Sequence, residues 1–398
     1  MIPPIENADR GIRITASTIV SCLGHGRSPH IEALRSGRSG LAPADMPGLP
    51  FECFIGSVAG LDSLAFPKTL ADCDNRASRL TLAALAADGF DRAVAGMRER
   101  WGPARCGVVI GTSTSGIEKL EQVYREREES EALPTSYSMR RNDNHQAVGA
   151  FLQDLLDLRG PSYAVSTACS SSSKALIDAV QLIEAGVCDA VLTGGVDCLC
   201  LTSLNGFEAL QLVSPRPCRP CDAERDGISI GEAAALMIVE RDADTGFRLV
   251  GAGETSDGHN MSTPPEDGAG AAAAMRATLD AAGLTPADIG YVNLHGTATR
   301  TNDAAEARAV LSVLGPDVPA SSLKGAIGHT LGAAGAAEIV LCLYALEEGV
   351  IPGNTGLHRL DPEIAVDVKA ESRSAELKYV LSNAFGFGGN NCVVALGR

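Results

Sequence analysis

The chain has 398 residues, 45% hydrophobic and 4% aromatic, with 12 cysteines and a formal charge of −16. That length and apolar share supply one large core or two fused ones, and scarce aromatics beside abundant Gly and Ala suit tightly packed α/β layers. The acidic balance excludes a nucleic-acid binder, which needs a basic footprint, and obliges any acidic partner to find a local basic patch.

In chain order, Met1-Ile2-Pro3-Pro4-Ile5-Glu6-Asn7 lacks the basic and apolar regions of a signal peptide, and no apolar run is long enough to span a bilayer. A cytoplasmic protein with reduced thiols is expected. Ile12, Ile14 and Ala16 alternate in a first strand, and a helix is expected from Pro29 to Ser36, closed by Gly37. A second runs from Asn75 to Ala87, with Arg76 and Arg79 three apart on one face. Cys106 to Gly111 is a compact buried strand. The segment Glu118 to Arg141 is charged, then irregular around Leu133-Pro134-Thr135-Ser136, and reads as an excursion from the core, a lid or a dimer element. Asn144 to Leu156 is helical again.

Pro161 to Val165 reads as a short strand, and Ala175, Leu176, Ala179, Val180, Leu182 and Ile183 recur at helical spacing up to Gly186. Between them, in Ser166-Thr167-Ala168-Cys169-Ser170-Ser171-Ser172-Ser173, a cysteine sits where a strand turns into a helix. Unpaired N–H groups and the helix dipole there favour thiolate over thiol. A strand from Ala190 to Gly195 comes next, Cys198 and Cys200 alternate along an apparent strand, and Gly231 to Val239 is another. Cys218-Arg219-Pro220-Cys221 is a lone CxxC, short of the four ligands of a structural zinc site.

Arg241 to Gly246 looks like the turn between two halves, and the second half repeats the style of the first. Strands are expected at Phe247–Gly251, Ile289–Leu294, Tyr379–Leu381 and Cys392–Leu396. Helices are expected at Ala271–Ala282, at Ala304–Leu314, and in a long apolar run ending at Gly349. Alternating strands and helices imply mixed or parallel sheets covered by helices. His295 and His329 each sit in a glycine-bearing turn at an element end, and Asn383-Ala384-Phe385-Gly386-Phe387-Gly388-Gly389-Asn390-Asn391 reads as a loop of backbone N–H donors with aromatic gates. A reactive thiol with two imidazoles fits acyl chemistry, the sulfur holding an acyl group and the histidines donating to a developing oxyanion.

Four motifs, TACSSS, NxHGTxTxxND, KxxxGHTxGAAG and SNAFGFGGNN, stand in one order between Ile12 and the C-terminus. Together they resemble the β-ketoacyl-acyl-carrier-protein synthases, types I and II, of the thiolase-like superfamily. The resemblance implies an α/β, thiolase-like fold of two related halves, 1–245 carrying Cys169 and 246–398 carrying His295 and His329, in α-β-α-β-α layers. It implies decarboxylative condensation of malonyl-carrier with an acyl group held on Cys169, in fatty-acid, polyene or polyketide synthesis. Cys169 would be the nucleophile, His295 and His329 the groups promoting decarboxylation, and Lys324 with Glu338 a supporting ion pair. The Cys169 and Phe387 N–H groups would form the oxyanion hole. Thr297 and Thr299 would line the phosphopantetheine arm, Phe385 and Phe387 would gate the acyl pocket, and Ile117 would affect chain length. Arg76 and Arg79 would help dock an acidic acyl carrier protein.

The resemblance implies no bound cofactor and no metal, substrates carried on the phosphopantetheine arm, and a homodimer or a heterodimer with a related ketosynthase-like subunit. It implies neither nucleic-acid binding nor membrane insertion. Lys174, Cys221, Ile228 and Ala233 depart from the family pattern and bear on pocket shape, hence on substrate. A thiolase would need a second catalytic Cys where Phe-Gly-Phe stands, and a type III synthase would need Asn where His329 stands. A non-catalytic chain-length factor, the rival from another class, typically lacks the nucleophile that Cys169 supplies.

Overall fold

The computed structural model describes residues 11–127, 133 and 137–398. The run Met1 to Asn7, and Pro134 to Ser136 of the irregular stretch, lie outside those residues. Two six-stranded sheets carry the fold. The first contains β1 (Arg13–Ser21), β2 (Gly24–His25), β3 (Cys106–Gly111), β4 (Ser162–Val165), β5 (Ala190–Asp197) and β6 (Ala233–Glu240), in the order β2-β1-β6-β5-β3-β4. The second contains β7 (Arg248–Ser256), β8 (Ile289–Asn293), β9 (Pro319–Ser321), β10 (Asp367–Val368), β11 (Tyr379–Gly386) and β12 (Asn390–Gly397), in the order β7-β12-β11-β8-β9-β10.

The two sheets repeat one pattern of pairing. In the first, β1–β6 and β6–β5 are antiparallel, while β5–β3 and β3–β4 are parallel. In the second, β7–β12 and β12–β11 are antiparallel, while β11–β8 and β8–β9 are parallel. The same succession of two antiparallel and two parallel pairs thus occurs in both sheets.

Seven helices position the site or frame it: α1 (Arg76–Ala86), α2 (Ile117–Glu126), α3 (Ser171–Glu184), α4 (Leu201–Ala209), α5 (Arg300–Leu314), α6 (Lys324–Ile327) and α7 (Ala334–Glu348). Helices α3 and α7 fill the layer between the sheets. Ala175, Leu176 and Val180 of α3 and Ala336, Ile339 and Val340 of α7 share one core with Val191 and Met237 of the first sheet and Val380 and Val394 of the second. A helix buried on every side must be apolar or small all round, and α7 is buried from Ala334 to Leu346. Each large aliphatic side chain so enclosed contributes about 1.5–3 kcal/mol.

Close approach explains the serine run at the start of α3. A Cβ on Gly111 would stand 2.3 Å from the Ser172 Cα, and one on Gly335 would stand 2.2 Å from the Ser173 Oγ. Strand, helix and helix therefore touch backbone to backbone. Ser172 Oγ accepts from the Ala336 N–H at 2.8 Å, tying the start of α3 to the start of α7. Lys174, unexpected beside these serines, pairs with Glu254 of β7 at 2.8 Å.

Three sequence expectations are revised. The strand at Ala190 extends to Asp197, and Cys200 then caps α4, its Sγ accepting from the Ser203 N–H at 3.4 Å, so Cys198 and Cys200 do not share a strand. The charged excursion begins as α2, whose single buried residue is Val123, and Tyr124 is exposed. The last strands are longer than expected because Asn383 to Gly386 and Asn390 and Asn391 continue the β11–β12 ladder.

Candidate active site

Ala168 holds a left-handed backbone, φ 53°, immediately before Cys169. A β-carbon makes that conformation costly, by about 1–3 kcal/mol, so the surroundings must hold it. They do: the Ala168 carbonyl accepts from Ser171 Oγ at 2.5 Å, Ser171 N at 3.2 Å and Ser113 Oγ at 3.2 Å. Two other non-glycine residues with positive φ, Ala298 (66°) and Leu331 (54°), lie in the turns just after His295 and His329. Each of the three side chains thus stands within three residues of a left-handed non-glycine position.

Sγ of Cys169 and one ring nitrogen of each of His295 and His329 all lie within 4.8 Å of one another. His329 Nε2 is 3.1 Å from the sulfur. The Leu331 N–H donates to His329 Nδ1 at 3.2 Å, so the neutral ring carries its proton on Nε2, the nitrogen facing Cys169. The Lys324 ammonium is 3.4 Å from His295 Nδ1 and likewise leaves the proton of that ring on Nε2. Lys324 spends its other two N–H bonds on the His295 carbonyl and on Glu338 Oε1, the latter at 2.6 Å. Three donors meet three acceptors. The pair is fully enclosed, with 1% and 2% of the side chains exposed.

Protonation follows from enclosure. Burial, seconded by the Lys324 charge, lowers both imidazoles well below 6.5. The two rings are therefore neutral N–H donors at neutral pH. Burial also pushes the Cys169 thiol up to about 11, against the lowering effect of the Lys324 charge and of a hydrogen bond from the Phe387 N–H. The thiolate expected from the helix end is thus not the resting form, because desolvation of the sulfur outweighs it. A Cys-His-His cluster also has the composition of a soft-metal site. The Lys324 ammonium beside His295 opposes a cation there.

The cluster opens into a cleft lined by Thr297, Thr299, Ile228, Asn302, Phe385 and Phe387 among others, and a second recess beyond Cys169 is lined by Ser113, Thr114, Ser166, Ser203, Phe207 and Phe387 among others. Phe387 borders both, its ring 5.7 Å from that of Phe207, while Phe385 lies 5.8 Å from the His295 ring. Thr297 and Thr299 hydroxyls are 2.9 Å apart. Ile117, which begins α2, lines neither space, whereas Thr114 three residues earlier lines the recess.

Arg76 and Arg79 are partly exposed, and both guanidinium groups are already paired within the fold. Arg76 grips the fully buried Glu232 through both carboxylate oxygens, at 2.7 and 2.5 Å. Arg79 grips Asp74 at 2.6 and 2.7 Å and donates to the carbonyls of Leu61, Asp62 and Leu64.

Four buried acids were given no role by the sequence, although Asp303 closes the NxHGTxTxxND motif. Glu306 of α5 accepts the N–H groups of His295 at 2.7 Å and Gly296 at 2.8 Å, plus Asn383 Nδ2 at 2.9 Å, and burial raises it to about 7. Asp303 accepts from the Ala298 and Cys221 N–H groups and lies 3.6 Å from the buried Arg225. Asp197 and Glu232 collect backbone N–H groups around the recess and α1. Their signal was a lone carboxylate within an apolar or alanine-rich run, where an unpaired charge is too costly to bury.

The beta-ketoacyl synthase N-terminal domain model matches residues 9–245 and the corresponding C-terminal domain model matches residues 247–358. A 3-oxoacyl-[acyl-carrier-protein] synthase 2 of Mycobacterium bovis is 40% identical over 249 residues, 58% of this chain and 60% of that protein. The chain thus spans about 60% of the length of the mycobacterial relatives it matches. Nodulation protein E of Rhizobium meliloti is 31% identical over 97% of this chain and 99% of its own. Among solved structures, the ketosynthase ApeO in complex with its chain length factor ApeC, from Xenorhabdus doucetiae, superposes with a TM-score of 0.89 at 36% identity, covering 98% of each chain.

Proposed function

The chain belongs to the beta-ketoacyl synthase family, and on that basis we propose that it condenses an acyl group held on Cys169 with a malonyl unit delivered by an acyl carrier protein. The observation that carries this reading is the convergence of one thiol and two neutral Nε2–H donors at the junction of two lined spaces.

The steps use the geometry directly. The Cys169 sulfur attacks the carrier's acyl thioester, the new S–C bond forms, and the thiol proton passes to the departing pantetheine sulfur. Acylation frees the His329 N–H from the thiol. Malonyl thioester then enters along Thr297 and Thr299. Its carboxylate leaves as carbon dioxide, and the bonding pair becomes an enolate whose oxygen receives the His295 and His329 N–H bonds. The enolate carbon attacks the Cys169 thioester while the Cys169 and Phe387 N–H groups hold the oxyanion. Collapse expels the sulfur as thiolate, which takes one proton from solvent, and the acyl chain has grown by two carbons. Phe385 and Phe387 gate the two spaces. No metal or redox cofactor is needed for this electron balance.

Intact-mass measurement after incubation with acyl-carrier is expected to show one acyl increment, absent in Cys169→Ala. Label on another cysteine, or none with any acyl-carrier tried, would sink the reading. We assign chain-length control to the residues lining the recess, Thr114 among them, instead of Ile117.

The proposed partners are an acyl carrier protein and a second thiolase-like chain, a copy of this one or a subunit of the chain-length-factor kind. The ApeO–ApeC complex supports the latter, and edge strand β4, half-buried and paired on one side next to the Cys169 turn, offers a pairing edge to either. Carrier docking through Arg76 would compete with its hold on Glu232. Arg76→Ala leaves that carboxylate buried without its cation and is expected to cost about 3 kcal/mol, seen as a lower urea midpoint. An unchanged midpoint with a raised KM for carrier-bound substrate would restore the docking role.

A further inference from the structure

One buried carboxylate touches both the recess and the His329 turn. Asp197 ends β5, is fully buried and has no basic partner among the described residues' ion pairs. Its charge is met by N–H and O–H donors alone. Oδ1 accepts from Thr112 Oγ1 at 2.6 Å, Thr114 Oγ1 and N–H at 2.8 Å each, and the N–H groups of Ser113 at 3.0 Å and Ser115 at 3.3 Å. Oδ2 accepts from Ser113 N at 3.0 Å and Ala333 N at 3.2 Å.

Oδ1 thus serves the Thr112–Ser115 turn alone, while Oδ2 shares the Ser113 N–H and adds the Ala333 N–H. Oδ1 holds the Thr112–Ser115 turn, which contributes Ser113 and Thr114 to the recess beyond Cys169. With its hydroxyl fixed on the carboxylate, Thr114 turns that polar group away from an acyl tail. Oδ2 reaches the 3-10 turn Leu331–Ala333, whose first N–H orients the His329 ring. Gly332 sits in the junction: a Cβ there would lie 2.6 Å from Ser113 N and 2.7 Å from Asp197 Oδ2.

We propose that Asp197 is a positioning residue that joins the acyl recess to the His329 turn through its two carboxylate oxygens, and thereby holds the Nε2–H donor of His329 in place for decarboxylation. The proposal rests on the condensing activity proposed above, and it predicts a separation of half-reactions. In Asp197→Asn only one oxygen remains. The amide oxygen satisfies most donors if it takes the Oδ1 place, and the NH2 group then confronts the Ser113 and Ala333 N–H groups, donor against donor. The recess turn stays anchored and the His329 turn is released.

The experiment compares acylation of Cys169, followed by intact mass, with carbon dioxide release from malonyl-carrier, in the parent, Asp197→Asn and Gly332→Ala. Gly332→Ala wedges the same junction without changing charge. Both variants are expected to acylate within about threefold of the parent and to decarboxylate at least about tenfold more slowly, with KM for malonyl-carrier little changed. In Asp197→Asn, iodoacetamide alkylation of Cys169 should also shift to lower pH, since a negative charge near the sulfur is gone; Gly332→Ala should leave it in place. Equal losses in both half-reactions, or unimpaired decarboxylation in either variant, would overturn the positioning role. A parent that never acylates at Cys169 would instead overturn the underlying activity.

Discussion

His329→Ala and His295→Ala are each expected to slow carbon dioxide release from malonyl-carrier by about 10²–10³-fold, the usual loss when one preorganised oxyanion donor is removed. Acyl transfer to Cys169 should survive in both, because that step passes its proton from thiol to departing thiolate and needs neither ring as a base. The tautomers make this specific. Leu331 N–H and the Lys324 ammonium occupy the two Nδ1 atoms, so neither Nε2 has a lone pair to accept a proton. His329→Gln, which retains an N–H donor, should recover part of the loss. The pH profile gives a second check. Burial holds both rings well below 6.5, so decarboxylation should be flat between about pH 6 and 8 as far as the rings are concerned. An acid limb centred near the ordinary histidine value, or acylation lost together with decarboxylation, would contradict the donor role.

The parts of this site that sequence reading reaches are those set by local chemistry. Cys169, His295 and His329 each stand at an element end beside glycine or small residues, and the periodic runs of α3 and α7 mark which faces are buried. The layered α/β fold was legible for the same reason, since alternating strand and helix patterns leave few ways to cover two sheets. What escaped was set by tertiary contact. Thr114 lies three residues before Ile117 in one glycine-bearing turn, and only the folded turn decides which of them faces the recess. The spacing of Arg76 and Arg79 puts them on one helix face and the resemblance gives that face to a carrier, while Glu232, the acid that pairs with Arg76, is distant in sequence. The thiolate expectation failed on magnitude: a helix end favours charge on the sulfur, but full burial opposes it more strongly.

Lys324→Met should separate the stability and the chemistry of the central ion pair. Lys324 and Glu338 are 2.6 Å apart with almost no exposure, so removing the cation leaves a buried carboxylate whose remaining donor among the described residues is Asn293 Nδ2 at 3.3 Å. Breaking such a pair from one side costs about 3–5 kcal/mol, enough to consume much of a domain's net stability. Burial already raises Glu338 and the Lys324 charge holds it down. Without that charge its pKa rises further, and the variant should lose stability as pH rises and the carboxyl is forced to ionise. The double variant Lys324→Met, Glu338→Leu removes both charges and should regain most of the urea midpoint, since well-packed apolar side chains replace buried pairs at little cost. Its decarboxylation should nonetheless remain down about 10- to 100-fold. His295 will have lost the N–H donor that sets its tautomer, and its carbonyl will have lost the Lys324 anchor. The missing ammonium charge also lets both imidazole pKa values rise, which moves any acid limb toward higher pH. A double variant that recovers stability and decarboxylation together would show that the pair only supports the fold, and that the His295 ring is oriented by Glu306 and packing alone.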